Sequence, residues 1–273
     1  MAQTRTFPSG VTSWIDLQVP DPDAARAFYG PLFGWTFDAP AGAAYAVARL
    51  DGQEAAGITG GSGGDPAAWR TYVAVTDLGA TVERVEAAGG RVLVGAADAG
   101  AGSRSATCAD PSGVPFLLLQ AGRLPGVQVS NTPGAWNFSD LHAADPATAA
   151  RFYTDVFGWS FDDLGFATMI RVPGYGDHLA ATVDPGIHER QSGPLVPPGF
   201  ADAIGWLAPV GPDEEPHWHV AFTVADRDET AALAERLGGK ILRSTDTAWT
   251  REALVRDPLG GEFTASQFTP PSG

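Results

Sequence analysis

Residues 11–19 alternate in polarity. Ile15, Leu17 and Val19 fall on one face, and Trp14, Asp16 and Gln18 on the other. The pattern predicts a strand whose aliphatic face packs on a helix and whose Trp/Asp/Gln face looks toward a cavity or a partner. The period then changes. Ala25, Phe28, Tyr29 and Leu32 make a helical apolar stripe, with Asp21 as cap, Pro22 at the first position, Asp23 in the first turn and Gly34 as the stop. Residues 45–50 and 55–59 read as a hairpin around Asp51-Gly52. A weaker copy of the same plan follows. A strand over 71–75 leads to a cap at Asp77, a helix marked by Leu78, Val82 and Val85, and a stop at Gly89-Gly90. Strands are predicted at 91–94, 104–108 and 114–120, with a turn at Asp110-Pro111-Ser112-Gly113. The module is a strand, a helix and three strands.

The chain states the plan again 124 residues later. Phe28-Tyr29 returns as Phe152-Tyr153, Phe33-Gly34-Trp35 as Phe157-Gly158-Trp159, and Asp21-Pro22 as Asp145-Pro146. A period this long is a domain duplication. The fourth copy opens at His217-Trp218-His219, is capped at Asp226, places Leu233 and Leu237 on the buried side, and turns at Asp257-Pro258-Leu259-Gly260. Here the offset is 149, from Gly89 to Gly238, so the second half has gained 25 residues between its two copies. They are expected within 184–216, a proline-rich stretch that includes His188, Phe200 and Trp206. A loop this long is expected to form a partly ordered flap near the mouth of a cavity. The expected domains are residues 8–122 and 136–270, joined by a linker at 123–135, in an α+β fold of four βαβββ modules.

Composition narrows the function. A net charge of −15, with no block of basic residues, argues against nucleic acid and against an anionic membrane surface. Cys108 is the sole cysteine, so neither an internal disulfide nor a cysteine zinc cluster can form. Residues 1–10 lack the apolar centre of a signal peptide, and no apolar run approaches membrane length, so a soluble cytoplasmic protein is expected. Glycine-rich phosphate loops, dinucleotide fingerprints and G-x-S-x-G are absent. No cofactor is expected.

The four concordant modules, the D-P-x-x-A-x-x-F-Y helix starts at Asp21 and Asp145, and the D-P-x-G turns at Asp110 and Asp257 resemble the vicinal oxygen chelate superfamily. This is the group of glyoxalase I, bleomycin-resistance proteins and extradiol dioxygenases; tandem actinobacterial proteins often labelled "hydroxylase" are similar. The resemblance spans residues 11–268 and implies two cup-shaped curved sheets, each built from two modules. Carried onto this sequence, the superfamily's metal positions fall at Trp14, Arg70 and Leu117, and at Phe138, His219 and Thr264. Of these only His219 is a ligand type, so the resemblance does not bring a metal with it. An off-pattern site could be assembled from Asp140, His142, His217, His219 and Glu262.

Asp16 and Asp140 hold equivalent places on equivalent strands. Each is a candidate acid or base, or an aspartate that anchors a neighbouring loop. His142, which replaces Gln18, is a candidate partner for Asp140, as is His219. Arg104 and Arg251 are candidates to reach an anionic or carbonyl oxygen of a ligand, with surface salt bridges as the alternative. Trp14, Phe138, Trp206 and Trp218 are candidates to stack on a planar ligand, with core packing as the alternative. Cys108 reads as a buried apolar residue. Three functions follow: a metal-independent isomerase, cyclase or lyase acting on a hydrophobic cyclic or aromatic metabolite, an antibiotic-sequestering binding protein, or a metal-dependent glyoxalase or dioxygenase with off-pattern ligands. The partner is a small molecule, and a homodimer is compatible with the chain.

Overall fold

A computed structural model describes residues 4–269, apart from 40–41, 62–65, 124, 166 and 194–195. The first half runs β1 (Thr12–Val19), α1 (Pro22–Phe33), β2 (Thr36–Phe37), β3 (Tyr45–Leu50), β4 (Gln53–Gly60), β5 (Ala68–Ala74), α2 (Leu78–Ala87), β6 (Arg91–Gly100), β7 (Ser103–Ala109) and β8 (Pro115–Gln120). The second runs β9 (Trp136–Ala143), α3 (Pro146–Phe157), β10 (Ser160–Asp163), β11 (Thr168–Arg171), α4 (Tyr175–Ala181), α5 (Ile187–Arg190), a 3₁₀ turn (Phe200–Asp202), β12 (Ala203–Pro209), β13 (His217–Thr223), α6 (Arg227–Arg236), β14 (Lys240–Asp246), β15 (Thr250–Arg256) and β16 (Glu262–Phe268). Two eight-stranded mixed sheets result, ordered β2-β3-β4-β1-β5-β8-β7-β6 and β10-β11-β12-β9-β13-β16-β15-β14. The α+β class and the four modules stand as read from the sequence.

Local chemistry sets the helix ends. The side chains of Asp21, Asp77, Asp145 and Asp226 each accept backbone N–H groups at a helix start. Gly34 and Gly158 close their helices at φ 73° and 74°, in the left-handed region that glycine enters without strain. Among the described residues no helix is long and apolar enough to cross a membrane.

The extra residues of the second half lie earlier than expected. Leu17 pairs with Ile58 and Leu141 with Leu207, so the offset has already reached 149 on β12. The insertion therefore lies within 172–202, where α4, α5 and the 3₁₀ turn stand in place of the tight hairpin at Asp51-Gly52. Trp206 belongs to β12 and not to a loop; the prolines around it masked the strand. Two further differences are local. The strand β6 runs on to Gly100, although its exposed residues carry no alternation. Helix α6 buries Ala234 and Arg227, while Leu233 and Leu237 are half-buried.

By compactness the chain forms two units. One gathers the chain up to Trp14, Thr71–Gly126 and Ser139–Trp218; the other gathers Ile15–Arg70, Val127–Phe138 and the chain from His219. Each unit has an aromatic core. The first packs Tyr153 on Trp159 (centroids 4.9 Å, 10° between planes) with Phe116 and Trp218 edge-on. The second packs Tyr29, Phe33, Trp35, Trp69, Phe222 and Phe263.

The D-P-x-G turns explain the buried acids. Asp257 accepts N–H bonds from Leu259 (2.8 Å) and Gly261 (2.9 Å), and the Tyr29 hydroxyl donates to it at 2.7 Å. Asp110 does the same with Ser112 and Val114 and with Tyr153. Burial pushes both carboxyls above their ordinary range, although these donors oppose it. A carboxyl whose folded pKa is raised contributes stability below its unfolded value and loses it as pH rises through the folded value. Removing the Tyr29 donor should therefore hurt most when Asp257 is ionised. We expect Tyr29→Phe to lower stability by about 1–2 kcal/mol at pH 7, and by less near pH 4, in urea unfolding followed at both pH values.

Candidate functional site

In the unit that holds Arg70, strands β1 and β5 bring a cation and an anion together. Asp16 is fully buried. Arg70 grips it with two parallel bonds, Nε to Oδ1 and Nη2 to Oδ2, both 2.7 Å, and Nη1 donates to Gln18 Oε1 at 2.7 Å. A forked guanidinium of this kind engages both carboxylate oxygens at once. Gly57, opposite Asp16 on β4, matters here. A Cβ there would stand 2.4 Å from the Tyr45 hydroxyl and 2.9 Å from Asp16 Cβ. Asp16, expected as an acid or base or as a loop anchor, is paired with Arg70.

The other unit holds a different arrangement at the equivalent places. Asp140 Oδ1 accepts the backbone N–H of Trp206 at 2.9 Å, the loop-anchoring alternative in a strand setting. Trp206 is half-buried, and its ring lies 6.1 Å from that of Phe200. Two residues along β9, on the same face as Asp140, His142 turns Nδ1 onto Glu214 Oε1. The carboxylate is fixed from its other side, because Oε2 accepts the Gly211 N–H at 2.7 Å. His217, at the start of β13, completes the group. Its ring centroid is 4.8 Å from that of His142, and its Nδ1 lies 3.8 Å from Glu214 Oε1. Its Nδ1 also lies 2.8 Å from the Glu215 carbonyl. Burial alone would raise the Glu214 pKa; the Gly211 N–H and the His142 ring outweigh it and hold the carboxyl below its usual range.

A carbonyl and a carboxylate can only accept, so each histidine presents N–H at Nδ1, and in the neutral ring the lone pair is at Nε2. His142 with Glu214 is thus an oriented imidazole backed by an anion, an arrangement that suits proton transfer. The acid–histidine pairing was expected, but with Asp140 as the acid; Glu214 takes that place. It was missed because it lies in a turn that no periodicity marks. The available signal was the spacing Glu214-x-x-His217.

The remaining candidates divide. His219 is 8% exposed and its Nε2 meets Thr264 Oγ1 at 2.8 Å. Neither set of superfamily metal positions fits a metal: Arg70 is a cation, and His219 is bonded to a threonine. Glu262 pairs with Arg256 at 2.6 Å, so it does not join a site with His219. Arg251 takes the salt-bridge alternative, since it bridges Asp228 (2.7 Å) and Asp246 (3.6 Å). Trp218 is core: strand parity turns it away from His217, and its Nε1 donates to the Tyr153 hydroxyl. Trp14 is buried, Phe138 half-buried and Arg104 exposed on β7. Cys108 is buried and its thiol is pushed up to about 11 by desolvation, with Glu86 adding to it, in keeping with an inert apolar role.

Known proteins match this chain over nearly its full length. A family model described as "Glyoxalase-like domain" matches residues 14–119 and 138–266. The chain is 31% identical over 280 residues to the "Putative glyoxylase CFP32" of Mycobacterium bovis, covering 99% of both chains. It is 31% identical over 281 residues to the "Anthracycline biosynthesis protein DauV" of a Streptomyces species, covering 96% of this chain and 94% of that one. In fold it is similar to a Mn(II)-bound glyoxalase from Novosphingobium aromaticivorans, with a TM-score of 0.61 at 16% identity, covering 99% of this chain and 85% of that one. With two matches in tandem, four βαβββ modules and full-length relatives, the chain belongs to the glyoxalase-like, or vicinal oxygen chelate, family.

Proposed function

We propose that this protein is an enzyme that moves protons on a cyclic or aromatic small molecule, in an isomerisation, cyclisation or elimination that needs no metal. The observation that carries the reading is the His142–Glu214 pair, with the carboxylate held by the Gly211 N–H. His142 Nε2 would take a proton from the ligand and return it at a second atom. Glu214 would stabilise the imidazolium formed in between. Asp140 is a positioning residue: it holds the Trp206 backbone, and the Trp206 and Phe200 rings would pack on a planar ligand. The name of the Streptomyces relative suggests the ligand class, a polycyclic aromatic metabolite.

An anthracycline aglycone is a suitable first probe. Titration of tryptophan fluorescence would read binding, and chromatography of the mixture would read conversion. We expect wild type to bind and convert the probe, and His142→Gln, which installs the residue found at position 18, to bind within a few-fold and convert none. Stoichiometric binding by wild type without conversion, left unchanged by His142→Gln, would make this a sequestering protein and refute the proposal.

A further inference from the structure

We propose that His142, Glu214 and His217 also form a binding site for a divalent first-row transition-metal ion of the zinc type. One nitrogen from each imidazole and one carboxylate oxygen all lie within 4.8 Å of one another. Ligands held about 2.0–2.2 Å from one zinc ion stand roughly 3–4 Å apart. Seating an ion would require side-chain rotation to close the donors from within 4.8 Å to that spacing. Two nitrogens and one oxygen suit zinc, iron, cobalt or nickel, whereas magnesium and calcium take oxygen alone.

The donors are also supported from behind. Glu214 Oε2 is bonded to the Gly211 N–H, and Asp213 between them adopts φ 63°, which closes the turn. The His217 ring is fixed by the Glu215 carbonyl. Such outer contacts set ligand orientation and tautomer. The site is not the superfamily's: none of Phe138, His219 and Thr264 takes part. Gln18 and Ala68 stand at the first-half positions equivalent to His142 and His217, so the first half does not repeat the histidine pair.

Three protein ligands leave coordination positions open. An ion seated there takes a lone pair from His142 and an oxygen from Glu214, any proton on the ligating nitrogen leaving to solvent, so that two coordinate bonds replace the direct His142–Glu214 contact. The metal-loaded protein thus gives up the proton-transfer couple, so the ion acts as an inhibitor of that chemistry. Binding itself does not rest on the proton-transfer reading.

The test is a Co²⁺ titration of the full chain, purified without a histidine tag and dialysed against chelator, followed by visible absorption and then by Zn²⁺ displacement. We expect saturation at one equivalent, with cobalt bands that Zn²⁺ abolishes. Glu214→Gln and His217→Ala should each weaken Co²⁺ binding by about tenfold or more. His188→Ala, at an exposed histidine paired with Asp177, should bind as wild type does. Near-UV circular dichroism checks that each variant is folded. A chain that shows no saturable cobalt spectrum, or a spectrum that survives both substitutions unchanged, overturns the proposal. Turnover is not read, so failure of the acid–base reading leaves this result intact.

Discussion

Glu214→Gln is expected to lower turnover by about 10²- to 10⁴-fold, the range that a positioned acid–base group supplies, with little change in ligand affinity. Glutamine keeps the size of the side chain and can still accept the Gly211 N–H, so the turn should hold. What is lost is the anion against His142 Nδ1. The pH profile separates this from a structural role. His142 lowers the pKa of Glu214, and by the same interaction the carboxylate favours the protonated imidazole. Without it, the acid limb of the rate profile should move to lower pH. A variant that keeps the wild-type profile while losing rate through unfolding would point to a merely structural glutamate.

Arg70→Ala should destabilise the chain by about 3 kcal/mol, because it leaves the fully buried Asp16 carboxylate without its forked partner. Arg70→Lys should recover only part of this, since an ammonium cannot make both bonds at once. Pairing Arg70→Met with Asp16→Asn should restore most of the loss, as both charges then leave together. Denaturant unfolding of the three variants checks the set. Equal stability of Arg70→Ala and wild type would show that the ion pair contributes nothing. Catalysis is expected to survive these changes, since the proposed chemistry belongs to the other half of the duplication.

That division of labour was partly legible in the chain. The offset of 124 residues aligned the strands and caps correctly, because local rules govern them: aspartate before a helix, glycine after it, alternation on a half-buried strand. It also paired Asp16 with Asp140 and Gln18 with His142, and so located where the halves differ. What it could not supply was the partner of each. Arg70 lies 54 residues from Asp16, and Glu214 lies 72 from His142. Only sheet order brings them together. Strand parity was read correctly for Glu262, but Arg256, six residues back across a turn, claims its carboxylate. For Trp218 strand parity points to the core, the packing alternative read for it from the sequence. Trp206 was hidden by composition, since a strand flanked by an inserted helical segment and prolines looks like loop.

The most direct measurement is nitrogen-15 NMR of histidine-labelled protein, observing the imidazole N–H protons. The account predicts a downfield, exchange-protected Nδ1–H from His142, assigned by its loss in His142→Gln and shifted upfield in Glu214→Gln. A His142 ring with its proton on Nε2, or one whose resonances ignore Glu214→Gln, would contradict the couple on which the proposed chemistry stands.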